Sequence, residues 1–166
     1  MGTFDLYGRL LKYPSDMRDF SAGLDELDMR DTAHLKACEP GLLQEEYVES
    51  FDFSEKSSLM ITNHVSSDER ERNSILAGLA AFTSLYGARS AHAAPDFLPD
   101  ILCAFQTALE REENRDAVVF MSGMLLKVVQ RIEENLKKSG SLYFPLMRGL
   151  RRELGMISEG MEVGNA

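Results

Sequence analysis

The sequence has no tryptophan, only two cysteines and five prolines, and no apolar run approaching the roughly 20 residues that span a bilayer. Cys38 and Cys103 stand far apart, in no CxxC or Cys/His spacing. That argues against a zinc site or a disulfide framework and favours a reducing compartment. The opening MGTFDLYGRLLKYPSD lacks the apolar core and small-residue cleavage site of a secretory signal, and Leu6 stands where an acylation signal wants Ser or Thr. A cytoplasmic protein with no stable membrane insertion is expected. Basic side chains are also scarce: 18 Lys plus Arg against 27 Asp plus Glu leave a net charge of −9. A nucleic-acid binder would carry a basic face, so a partner bearing Lys and Arg fits better.

What is present reads as one globular domain. The 166 residues are 44% hydrophobic and 27% charged, a composition that builds a core without metal or disulfide. The domain is expected to span 1–166, with 156–166 a flexible tail. Apolar residues recur at helical spacing throughout, and no period-2 alternation is sustained, so the expected class is all-α, a single-domain helical bundle with one long central helix. Leu6, Leu10 and Tyr13 mark a first helix ending before Pro14, since the residue before proline is pushed out of the α region. Ser15 is expected to cap a second helix carrying Met17, Phe20 and Leu24, and 29–40 to form a loop. Pro40 suits a helix start, followed by a stripe of Leu43, Tyr47, Val48 and Phe51.

Asp68, with Glu71 three residues on, is a capping signature. The helix after it repeats Ile75, Leu79, Phe82 and Tyr86, widened by Leu76 and Leu85, and ends at Gly87. Another helix opens at Pro95-Asp96-Phe97-Leu98-Pro99 and runs through Leu102 and Phe105. The longest should lie within 113–138, where Val119, Phe120 and Met124 broaden the apolar surface and place its first half at the bundle centre. Gly140 stops it, and a last helix near 143–154 packs back.

Charge is uneven: residues 1–60 hold 6 basic and 13 acidic side chains, the rest 12 and 14. The local basic run at 127–152 reads as a solvated helix face, with Lys137 and Lys138 beside a C-terminal helix dipole. The inventory does not suit an enzyme. His34, His64 and His92 belong to no HExxH; GxGxxG, Walker, GxSxG and acidic metal-loop patterns are missing. Glu45-Glu46 and Glu112-Glu113 are adjacent pairs that diverge on a helix. No catalytic residue, metal or cofactor is assigned.

The densest run of recognition chemistry is 47–72, YVESFDFSEKSSLMITNHVSSDERER. Its Ser and Asp side chains could equally be turn formers and caps, and a single His64 is more often a satisfied core imidazole than a ligand. Met60 is a candidate groove residue, because a thioether repacks around different apolar anchors, whereas Met121 and Met124 read as core.

YVESFD at 47–52, SSLMITNH at 57–64, DERER at 68–72 and PDFLPDILCAF at 95–105, with LLKYP at 10–14 and SLYFPLMRGL at 141–150, together resemble the NarJ family of nitrate reductase assembly chaperones, within the wider TorD/DmsD-like group. The resemblance covers nearly the whole chain in order. It implies an all-helical cytoplasmic chaperone that binds the N-terminal segment of an apo molybdoenzyme catalytic subunit and holds it for molybdenum cofactor insertion before membrane attachment or export. Proteins of molybdenum cofactor biosynthesis are implied as further partners. Position by position, the family's client-binding residues fall on Tyr47, Phe51, Asp52, Ser58, His64, Asp68, Arg70, Arg72, Asp96, Phe97, Leu98 and Pro99. Three positions depart: Ser67 and Asn73 replace expected glycines, and Phe97 an expected tyrosine. A competing reading is a non-catalytic helical adaptor or oligomerisation bundle linking folded proteins; a third is an enzyme or nucleotide-binding protein using His64, Asp68 and Arg70.

Overall fold

The computed structural model describes residues 1–27, 32–87 and 94–163. Among them the chain is all-α, with nine α-helices: α1 Thr3–Leu10, α2 Met17–Leu27, α3 Ala33–Ala37, α4 Pro40–Tyr47, α5 Thr62–Val65, α6 Glu69–Tyr86, α7 Leu98–Arg111, α8 Arg115–Ser139 and α9 Phe144–Val163. A π-helical turn, Val48–Asp52, continues α4, and a 3₁₀ turn, Glu55–Ser57, follows it. The only strand-like pairing among the described residues is an isolated antiparallel bridge, Met60–Phe97.

Two helix pairs form the frame: α8 with α9, and α1 with α7. The α1–α7 contact depends on Gly8, where a Cβ would come within 2.7 Å of the Pro99 carbonyl oxygen and 2.9 Å of Cys103 Sγ. Phe4 and Phe105 meet edge to face across it, with centroids 5.2 Å apart. Gln106 Oε1 accepts from the Phe4 N–H at 3.0 Å, so α7 also serves the first turn of α1. On α8, Leu125, Val128, Val129, Ile132 and Leu136 are fully buried and face Tyr143, Leu146, Met147, Leu150 and Leu154, equally buried on and just before α9. An ion pair between Arg151 and Glu133 ties the outer edges of these two helices. Much of the basic run at 127–152 is thereby distributed along a helix pair.

Several boundaries agree with the sequence and several do not. Asp68 caps α6 by accepting from Glu71 N–H at 2.8 Å. Pro40 opens α4, and Gly140, at φ 69°, ends α8 in the left-handed region. The first helix stops at Leu10, so Tyr13 lies beyond it and is 48% exposed. Asp16, not Ser15, caps α2: its carboxylate accepts from Arg18 N–H and Asp19 N–H. The expected loop at 29–40 contains α3; residues 29–31 of it, and His92, lie outside the described residues. Leu85 does not widen the α6 stripe but is exposed. The deeply buried half of α8 is the second, not the first: Phe120 is 70% exposed and Met124 half-buried, although Met121 is core. The last helix does not end near residue 154. It continues to Val163, with Ile157 and Met161 packed against the core, so the expected tail is helical from 156 to 163. An apolar spacing of three and four residues continues through Leu154, Ile157 and Met161, which gives those turns a surface to bury.

Candidate functional site

The YVESFD string straddles the end of α4 and the π-helical turn. The wider turn is closed by Phe53 N–H on the Val48 carbonyl at 3.0 Å. Leu43, Tyr47 and Phe51 face inward, and Asp52 faces out. Tyr47 O–H donates to the Leu11 carbonyl at 2.9 Å, fastening this segment to the end of α1. Burial, with the Asp52 charge adding to it, pushes the Tyr47 phenol well above its ordinary range. Edge-to-face contacts link Tyr13 to Tyr47 (5.6 Å), Tyr47 to Phe51 (5.1 Å) and both Tyr47 and Phe51 to Tyr143 (5.8 and 5.1 Å). Such pairs contribute about 0.5–1.5 kcal/mol each beyond burial, so this aromatic stack is a stiff wall.

The opposite wall is built where the stretch before α5 meets the stretch before α7. Ile61 N–H donates to the Asp96 carbonyl at 2.9 Å and Leu98 N–H to the Leu59 carbonyl at 2.8 Å. The Asp96 side chain, 3% exposed, accepts from Thr62 N–H at 3.1 Å and Thr62 O–H at 2.5 Å. Between the two walls runs a groove of about 780 Å³. Tyr47, Phe51, Asp52, Ser58, Met60 and Phe97, all singled out from the sequence, line it. At one end Lys12 Nζ and Asp100 Oδ1 form an ion pair at 3.2 Å. The Asp52 carboxylate makes no ion pair with a described residue.

The remaining sequence candidates lie elsewhere. Leu98 and Pro99 are buried in the first turn of α7. Asp96 is a buried clip rather than a groove carboxylate. His64 is buried; its Nε2–H donates to the Ser58 carbonyl at 2.6 Å, and its own carbonyl accepts from Arg131. Burial lowers the imidazole pKa from its ordinary 6.5; the Ser58 bond opposes that shift and the Arg131 charge adds to it. Ser58 Oγ is occupied as well, accepting from Met60 N–H and Asn63 Nδ2, while Asn63 Oδ1 takes a long 3.5 Å bond from Arg72. Asp68 is a cap, and Arg70 and Arg72 are exposed on the first turn of α6, away from the groove. Neither Ser67 nor Asn73 adopts a positive φ, so neither position requires glycine. Ser67 instead donates through N–H and O–H to Glu71.

Lys12, Tyr13, Ser15, Leu59 and Asp100 also line the groove and were not singled out from the sequence. For Tyr13 a signal existed: the residue before Pro14 leaves the helix, so its ring cannot continue the α1 stripe. No local pattern pairs Lys12 with Asp100, because that contact is made by α7 crossing the end of α1. Elsewhere, an uncharged depression of about 380 Å³ between α6 and α8 is lined by Ile75, Phe82, Phe120 and Met124 among others. Among the described residues no His, Cys, Asp and Glu side chains gather to hold a metal, and no helix is long and apolar enough to cross a membrane. Burial raises the Cys103 thiol to about 11, with Asp5 adding to it.

No family model matches the chain. It is 28% identical over 169 residues to the protein named "Probable nitrate reductase molybdenum cofactor assembly chaperone NarJ" of Bacillus subtilis (strain 168), an alignment covering 93% of this chain and 89% of that one. The chain resembles NarJ over most of its length.

Proposed function

We propose that the protein is a cytoplasmic chaperone for assembly of a nitrate reductase-like molybdoenzyme, and that its groove receives the N-terminal segment of the apo catalytic subunit while molybdenum cofactor is inserted. The observation that carries this reading is the convergence of Tyr47, Phe51, Asp52, Met60 and Phe97, from three separate strings, on one open groove. The similarity, over most of the chain, to a protein named as an assembly chaperone supports it. Aromatic and thioether walls suit the helix-in-groove mode, in which anchors at three- and four-residue steps enter an apolar slot. Each buried Leu or Phe anchor supplies about 1.5–3 kcal/mol before the costs of ordering. Exposed Asp52 supplies about 0–1 kcal/mol against a client Lys or Arg, so it sets orientation more than affinity.

Titration calorimetry of the full chain with a synthetic peptide from the N-terminus of a nitrate reductase catalytic subunit tests this. Phe97→Ala should weaken binding about tenfold, matching the loss of about 1.4 kcal/mol of anchor contact, and Asp52→Ala a few-fold at low salt only. Absence of binding by the wild-type chain, or identical affinities for wild type and both variants, would sink the reading. A folded partner bound where the peptide is not would favour an adaptor.

A further inference from the structure

We infer that the client site does not end at the groove but continues around Tyr13 onto the outer face of α4, where a shelf receives a Lys- or Arg-bearing flank of the same client segment. This rests on the groove reading above. A client helix of about 12 residues, near the shortest that is marginally stable in water, runs about 18 Å. A client segment long enough to be helical must rest its flanks on neighbouring surface.

On the far side of Tyr13 lies a depression of about 400 Å³ bounded by Gly41, Gln44, Glu45, Val48, Glu49 and Phe53. Tyr13 belongs to both recesses and is the ridge between them. Gln44 Nε2 donates to the Pro14 carbonyl at 3.0 Å, and Tyr13 stacks edge-on against Tyr47, so groove and shelf are held in fixed relation. The shelf exposes a large apolar side chain, Phe53, which is 82% exposed. Glu45 and Glu49, four residues apart, line the shelf with Phe53, and Asp52 stands at the groove rim. None of the three carboxylates is ion-paired with a described residue, and no Lys or Arg lines the shelf. An apolar surface edged by unpaired anions complements a segment with an aliphatic or aromatic anchor beside cationic residues. The α6–α8 depression has no charge to specify an occupant in this way.

The test uses two synthetic amphipathic peptides of roughly 18 residues. They share a Leu/Phe anchor stripe; one carries a Lys-Arg flank and the other Gln at those positions. Binding to the full chain is measured by calorimetry at low and high salt. The wild type should bind both, the flanked peptide about three- to tenfold tighter at low salt, with the difference shrinking as salt rises. Glu45→Gln with Glu49→Gln should reduce that difference to the part supplied by Asp52 while leaving the Gln peptide's affinity unchanged. Phe53→Ser should weaken the flanked peptide more than the Gln peptide. Equal wild-type affinities, or a difference undiminished in the double variant, would overturn the shelf while leaving the groove standing. Failure of the wild type to bind either peptide would overturn both.

Discussion

Asp96 gives the sharpest test of the structure, because its sequence context suggests a client contact and its environment gives it another task. The carboxylate is 3% exposed and accepts from both the N–H and the O–H of Thr62, which is itself fully buried. Asp96→Ala strands two donors in a site that water does not reach. Each stranded donor costs about 1–3 kcal/mol, and relief of the buried charge returns part of that, so a net loss of about 2–4 kcal/mol is expected. Thr62→Val removes the hydroxyl but leaves the amide bonded, and should cost about 1 kcal/mol. In the double variant the hydroxyl is no longer there to be stranded, so the two losses should fall short of additivity by about 1 kcal/mol. The chain has no Trp, so urea unfolding is best followed by far-UV circular dichroism. At a slope of about 1–3 kcal/mol/M, Asp96→Ala should lower the midpoint by roughly 1–2 M without changing the slope. A loss below about 0.5 kcal/mol, the range of ordinary surface substitutions, would refute the clip. Asp52→Ala, at an exposed carboxylate, should stay within that range.

Other perturbations follow from the same geometry. Gly8→Ala gains helix propensity but drives a methyl into the Pro99 carbonyl, so the α1–α7 contact should loosen by about 1–3 kcal/mol; calorimetry should show a melting temperature lower by several degrees. The His64 imidazole pKa is depressed in the folded chain, so the unfolded state binds more protons below pH 6.5. Stability should therefore be intact above that pH and fall as pH drops through the folded value. His64→Gln should flatten the acid limb measured by urea titration at several pH values; an unchanged slope would remove the burial argument. The Tyr143 hydroxyl is buried with no partner among the described residues, so Tyr143→Phe should be neutral or stabilising by up to about 2 kcal/mol. A melting temperature lowered by several degrees would show that the hydroxyl is satisfied by an ordered water.

The all-α class and the caps at Asp68, Pro40 and Gly140 were legible because they are local: a few residues satisfy or deny backbone groups within one turn. The groove was half legible. Tyr47, Phe51 and Asp52 lie in one string, and their facing follows from helical winding with one wide turn. Met60 and Phe97 are 37 positions apart and meet through two backbone hydrogen bonds that leave no trace in side-chain pattern. The same non-locality misdirects at Asp96, whose residue type suits recognition but whose carboxylate turns inward to Thr62, 34 positions away. On α8, apolar breadth suggested a central first half; Phe120 shows that breadth also arises where an apolar depression opens to solvent.

The π-helical turn carries a consequence for how this chain tolerates change. Such a turn is equivalent to one residue inserted into an α-helix, so the five residues Val48–Asp52 turn the chain about as far as four would in regular α-winding. Losing one exposed residue there, such as Glu49, would let α4 wind regularly with the chain beyond it at nearly the same angle. One residue added within regularly wound α4 has no wide turn to absorb it and would swing everything downstream by about 100° around the helix axis. Phe51 would then leave the aromatic stack and Asp52 the rim, although no side chain chemistry had been altered. A one-residue insertion in α4 should therefore be more damaging than a one-residue deletion at Glu49.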